Sequence, residues 1–173
     1  MRPLVIPAIE SLRPYSAGKP PEELARERGV RDAVKLSSNE NPYGPSPRVR
    51  EAVATATASL HRYPDSSVFA LRHRLARHLS DASGLEVTPA QLVFGNGSNE
   101  LIELALSTFT VDGDHVVFAE PSFVVYDMSS RTHNLATTAV PLKQQRHDLD
   151  AMLAAVTAAT RVVFVANPNN PTG

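Results

Sequence analysis

The sequence predicts an α/β protein built on a mostly parallel sheet, and three observations carry that prediction. From Leu92 onward, short apolar runs alternate with segments of helical spacing, the signature of strands covered by helices. Turn signals, Gly95-Asn-Gly97 and Asp112-Gly113, fall between those segments. The 173 residues are 42% hydrophobic and 20% charged, the balance of a chain that can bury a core.

The elements follow in order. Nine of the 14 prolines lie in the first 64 residues, so segment 1–47 is expected to be an extended, turn-rich arm. Its one expected helix, Pro20–Arg28, begins with prolines and acids and stops at Gly29. SSNENPYGPSP, residues 37–47, is irregular and stiff. Val49, Val53, Ala56 and Leu60 repeat at helical spacing, as do Val68, Leu71, Leu75 and Leu79. HRYPD, residues 61–65, separates these helices, because Pro64 forbids a continuous one. Leu92–Phe94 is expected to be a strand, followed by a helix over Leu101–Phe109. His115–Ala119, Ala136–Leu142 and Arg161–Ala166 are the next three strands, with helices over 123–133 and Asp148–Ala158 between them. After the last strand comes NPNNPTG, residues 167–173, without a covering helix, so segment 48–173 is expected to be an incomplete domain.

Several function classes are disfavoured. A formal net charge of −1 does not suit a nucleic-acid binder. No apolar run reaches the roughly 18 residues of a membrane span, and MRPLVIPAIESLRPYS is a poor signal peptide. Cysteine is absent, which removes disulfide and thiolate chemistry and fits a cytoplasmic protein. The six histidines show no metal-ligand spacing, so no metal site is expected.

Two motifs point to a ligand. Phe94-Gly-Asn-Gly-Ser-Asn-Glu100 stands between a strand and a helix; its glycines allow close approach of a ligand, and the helix N–H groups attract an anion. Ser98 and Asn99 would then be phosphate donors in the first helical turn; alternatively the segment is a tight turn with Ser98 as N-cap. A nicotinamide-dinucleotide site is a further alternative, with Glu120 as the ribose acid, but Glu100 occupies the third glycine position. Asn167–Gly173 lies at the carboxyl end of a parallel strand, where open α/β sheets bind ligands, and Asn170 has an amide to offer; a structural turn accounts for the same residues.

SSNENPYGPSP, RYPD, GNGSNE, EPSF and NPNNPTG, in that order, resemble the N-terminal half of the class I/II pyridoxal-phosphate (PLP) aminotransferases, nearest the histidinol-phosphate branch and close to aromatic-amino-acid aminotransferases. The similarity runs from about Leu12 to Gly173. It implies part of a fold type I large domain over 48–173, with residues 1–47 forming an N-terminal arm and part of the small domain. It implies PLP as cofactor, with Ser98 and Asn99 on its phosphate, Phe123 stacked on its ring and Asn170 on the ring hydroxyl. Many family members have Tyr where Phe123 stands, so a phenol hydrogen bond is lost here. Tyr63 would reach the phosphate of a neighbouring subunit, which makes the full-length protein a homodimer, and Tyr15 and Asn41 would face the substrate. The implied partners are a small amino donor, histidinol phosphate or an aromatic amino acid, and 2-oxoglutarate. In the family the cofactor is carried on a lysine that follows the NPNNPTG loop, whereas Lys19, Lys35 and Lys143 all precede it. No catalytic residue is therefore assigned, and the chain alone is expected to be inactive. A non-catalytic phosphate- or cofactor-binding module is the alternative.

Overall fold

The computed structural model describes residues 4–5, 7–12, 18–30, 34–36 and 38–173. In chain order its elements are α1 (Pro7–Glu10), α2 (Pro21–Arg28), α3 (Pro47–Ala56), α4 (Phe69–Ser83), α5 (Gly97–Phe109), β1 (His115–Glu120), α6 (Val125–Thr132), β2 (Ala136–Pro141), α7 (Leu149–Ala154) and β3 (Thr160–Phe164). They divide into two compact units, one of Met1–Pro14 with Ala90–Gly173 and one of Tyr15–Pro89. The boundary at 47/48 expected from the sequence falls inside the second unit.

The first unit is organised around β1. His115-Val-Val-Phe-Ala-Glu has the β-branched, apolar text of a strand buried on both faces, and all of it but Glu120 is buried. β2 and β3 pair with it on either side, both parallel, in the order β2-β1-β3. Val116 and Phe118 point to one face, against Leu106 of α5 and Leu135, with Tyr126 of α6 beside them. Val117 and Ala119 point to the other, against Val140 and Met152 of α7. The period-two alternation of β1 thus serves two cores. Connections of one hand require this arrangement. The chain moves from β1 to β2 across one face through α6, then back past β1 to β3 through α7, so the second crossover lies on the opposite face.

The amino edge of this sheet is closed by a buried histidine. His115 Nδ1 lies 2.7 Å from Thr160 Oγ1 and its Nε2 2.8 Å from Thr138 Oγ1, so one ring bridges both neighbouring strands. Helices α5 and α6 are cross-linked by Glu103, which accepts from Ser129 Oγ and lies 2.8 Å from His133 Nε2.

The expected strand at Leu92–Phe94 does not form. These residues belong to no strand; the sheet consists of β2, β1 and β3. The helix expected over Asp148–Ala158 is shorter, ending at Ala154, and its cap is the Asp148 side chain, which accepts from the Ala151 N–H at 3.0 Å. Segment 1–47 also contains the one-turn helix α1, which packs against α6.

In the second unit, helix ends follow local chemistry. Ser46 caps α3 and Pro47 opens it. Gly29 and Gly84 end α2 and α4 at φ +67° and +70°, the left-handed conformation a side chain disfavours. The repeat over Val49–Leu60 is not one helix: α3 stops at Ala56 and continues as a single 3₁₀ turn, Thr57–Ser59. Asp65 organises the start of α4. Its carboxylate accepts from Ser67 N–H at 2.9 Å, Ser67 Oγ at 2.7 Å and Phe69 N–H at 2.9 Å. The Ser67 hydroxyl and then the two N–H groups hold its carboxyl below the ordinary aspartate value.

Candidate functional site

The carboxyl edge of the sheet is where the first unit gathers its polar loops. Helix α5 runs back along β1: its C-terminus leads through a short turn into the start of the strand. Thirteen helical residues span about 20 Å, and six strand residues span about 20 Å. The loop carrying Phe123 begins at the end of β1, and the parallel strand β3 delivers Asn167–Gly173 to the same edge.

At the start of α5 the N-cap is Asn96, not Ser98. Ser98 and Asn99 occupy the first turn, are exposed, and their side chains make no hydrogen bond among the described residues. Glu100 folds back, and its Oε2 accepts from the Asn96 N–H at 2.5 Å and from Asn96 Nδ2 at 3.1 Å, as in a capping box. Gly95 makes room for this: a Cβ there would stand 2.9 Å from Glu100 Oε2 and 3.1 Å from Leu101 Cδ2. Gly97 has φ +76°, which a glycine adopts without steric cost. The result is a helix N-terminus with two unengaged polar side chains facing solvent, a donor set that suits a phosphate.

Phe123 is half-buried in the loop after β1. Its ring meets Tyr126 edge-on at 5.7 Å, and Tyr126 stacks on Phe164 of β3 at 4.4 Å and 9°. Phe123 also borders a cleft of about 370 Å³ whose other walls include Phe118, Glu120 and the ion pair Asp127–Arg131, with N–O 2.8 Å. Asn170 is exposed on the loop after β3, and its side chain has no hydrogen bond among the described residues. The neighbouring Asn169 is buried; its Nδ2 donates to Pro121 O at 3.2 Å and to Thr172 Oγ1 at 2.9 Å. Asn169 and Tyr126 are the residues that sequence reasoning missed, and Glu100 is one it read only as an obstacle to an anion. An acid near the start of a helix signalled Glu100 and i,i+3 aromatic spacing signalled Tyr126; nothing local signalled Asn169.

The remaining expectations fall in the second unit. Tyr63 is fully exposed in the turn ahead of α4. Asn41 shapes its own turn: Oδ1 accepts from Tyr43 N–H at 3.0 Å and Nδ2 donates to Gly44 O at 3.3 Å. Tyr15 lies outside the described residues. Lys19 pairs with Glu27 and Lys35 with Glu40. Lys143 is exposed in a tight turn closed by paired backbone hydrogen bonds with Arg146.

The first unit is thus a parallel α/β unit with an exposed helix N-terminus and an aromatic loop after its central strand. Residues 31–173 match the family described as aminotransferase class I and II, and the chain belongs to that family. It is 46% identical over 170 residues to histidinol-phosphate aminotransferase 1 of Idiomarina loihiensis, covering 98% of this chain and 45% of the relative. It is 42% identical over 165 residues to the Mannheimia succiniciproducens protein of the same name, covering 95% and 43%. The fold matches the crystal structure of histidinol-phosphate aminotransferase from Sinorhizobium meliloti in complex with PLP, with a TM-score of 0.82 at 30% identity over 99% of this chain and 44% of that one. A Thermus thermophilus aspartate aminotransferase mutant gives a TM-score of 0.78 at 28% identity, over 100% and 47%. The fold is thus that of the fold type I aminotransferases, and the chain spans less than half the length of these relatives.

Proposed function

We propose that this chain supplies the phosphate and ring cradle of a PLP-dependent aminotransferase acting on histidinol phosphate and 2-oxoglutarate, and that the 173 residues alone do not turn over. What supports this reading is the Asn169 Nδ2–Pro121 O hydrogen bond, which joins the loop of Phe123 to the loop of Asn170, together with the exposed N-terminus of α5 in the same unit. The Ser98 hydroxyl and the α5 N–H groups would donate to phosphate oxygens, favoured by the positive end of the helix. Phe123 would stack on the pyridine ring. The Asn170 amide would donate to the ring hydroxyl oxygen. When bound, PLP supplies an electron sink for charge developing at the substrate carbon. Lys19, Lys35 and Lys143 all precede the NPNNPTG loop, whereas the family's cofactor lysine follows it, so none of them is proposed as the amine that carries the cofactor and moves the substrate proton. Tyr63, exposed and outside the sheet unit, fits a contact to a second copy in a full-length homodimer. Tyr15 and Asn41 are the proposed substrate-side residues.

The test uses pyridoxine 5′-phosphate, which has the phosphate and ring but no aldehyde to react with stray lysines. Titration should show saturable binding, weakened about tenfold by the Ser98→Ala/Asn99→Ala double variant and by Asn170→Ala. NADH binding without pyridoxine 5′-phosphate binding would instead support a dinucleotide site. Transaminase turnover by the purified chain would refute the proposed inactivity.

A further inference from the structure

We infer that Asn169 is a positioning residue: it ties the loop that carries Phe123 to the loop that carries Asn170 and so fixes their spacing. Its link to the cofactor rests on the function proposed above; the tether itself does not. Asn169 has 6% of its surface exposed, the one buried side chain in NPNNPTG. Both protons of its amide are used. One goes to Pro121 O, 48 residues earlier and two residues before Phe123, and the other to Thr172 Oγ1 in its own loop. The Asn169 backbone carbonyl accepts from the Gly173 N–H at 2.7 Å, which curls the loop around it. Asn170 is the next residue, so its backbone is held from both sides.

A purely structural role is the competing explanation, and the architecture separates the two. The strands beneath are joined independently by the β1–β3 ladder, and the stacked rings of Tyr126 and Phe164 join α6 to β3. Removing the amide should therefore loosen the loop tips without opening the sheet. Without the Asn169 donor, Pro121 O, on an exposed residue, takes water instead, so the loop tip should loosen.

The experiment is residue-resolved amide exchange and ligand titration by NMR on the full 173-residue chain. The reporter is the Tyr126 N–H, which closes the Phe123 loop by donating to Phe123 O at 3.0 Å. In Asn169→Ala its exchange should accelerate about tenfold or more, while Val117 and Phe118 in β1 stay protected. Unchanged Tyr126 exchange overturns the tether whatever any ligand does. Loss of protection across β1 as well would mean a global structural role for Asn169, and also overturns it unless Thr172→Val, which removes one acceptor at nearly constant shape, accelerates Tyr126 alone. On the ligand side, Asn169→Ala should weaken pyridoxine 5′-phosphate about tenfold and leave inorganic phosphate unchanged at the Ser98 and Asn99 amides. Equal weakening of both probes would contradict positioning of the ring groups. Absence of pyridoxine 5′-phosphate binding by the unmodified chain would defeat the proposed function, and exchange alone would then decide the tether.

Discussion

The helices of the two compact units share an apolar spacing in sequence and differ in what they bury. In the first, the apolar positions of α5 and β1 are inside: Leu106, Val116 and Val117 are all 0% exposed. In the second, the repeats Val49–Val53 and Leu71–Leu75–Leu79 have the same helical spacing, yet Val53 is 59% and Leu71 54% exposed, and Ala76 is the one buried hydrophobic side chain among the described residues. An amphipathic pattern states which face is available for burial; it does not supply the surface that covers it. The sheet supplies that surface for α5, α6 and α7. Helices α3 and α4 have no sheet in their own unit to pack on.

The sharpest way to break this comparison is a pair of truncations. Leu106→Ala should lower unfolding free energy by about 2–5 kcal/mol, measured by urea denaturation, because a cavity opens under β1. Val53→Ala should change it by less than about 0.5 kcal/mol. Equal losses would mean that the stripe on α3 is covered after all. Gly95→Ala probes the loop end of the first unit. The added methyl would meet the Glu100 carboxylate and Leu101, so a loss of about 1–3 kcal/mol is expected, with disruption of the Asn96 cap visible in the amide shifts of residues 96–100. The smallest effect belongs to the second unit. The folded-state pKa of Asp65 is lowered, so its contribution is present above the unfolded pKa and is lost as pH falls through the folded one. Helicity followed by far-UV circular dichroism should show an acid limb below about pH 4, and Asp65→Asn should flatten it. An unchanged limb in that variant would assign it to other carboxylates.

Much of the site was legible because its signals are local. Gly95-Asn-Gly97 ahead of a helical run announces a ligand-accessible helix end from spacing alone, and the parallel strands place NPNNPTG at a carboxyl edge. Leu92–Phe94 shows the limit. Its apolar text is that of a strand, but strand formation depends on a paired neighbour, which apolar text does not supply. Glu100 shows another limit: read in sequence as an obstacle to an anion, it serves as the cap of its own helix.

The sequence by itself determined the alternation of strands and helices, the helix ends at Ser46, Gly29 and Gly84, and the polar composition of the edge loops, since each depends on residues within one turn of chain. Only the tertiary structure decided that β1 lies in the centre with different cores on its two faces, that His115 bridges Thr138 and Thr160, and that Asn169 rather than a neighbouring asparagine is buried against Pro121. Those choices depend on contacts between residues tens of positions apart, which no local propensity encodes.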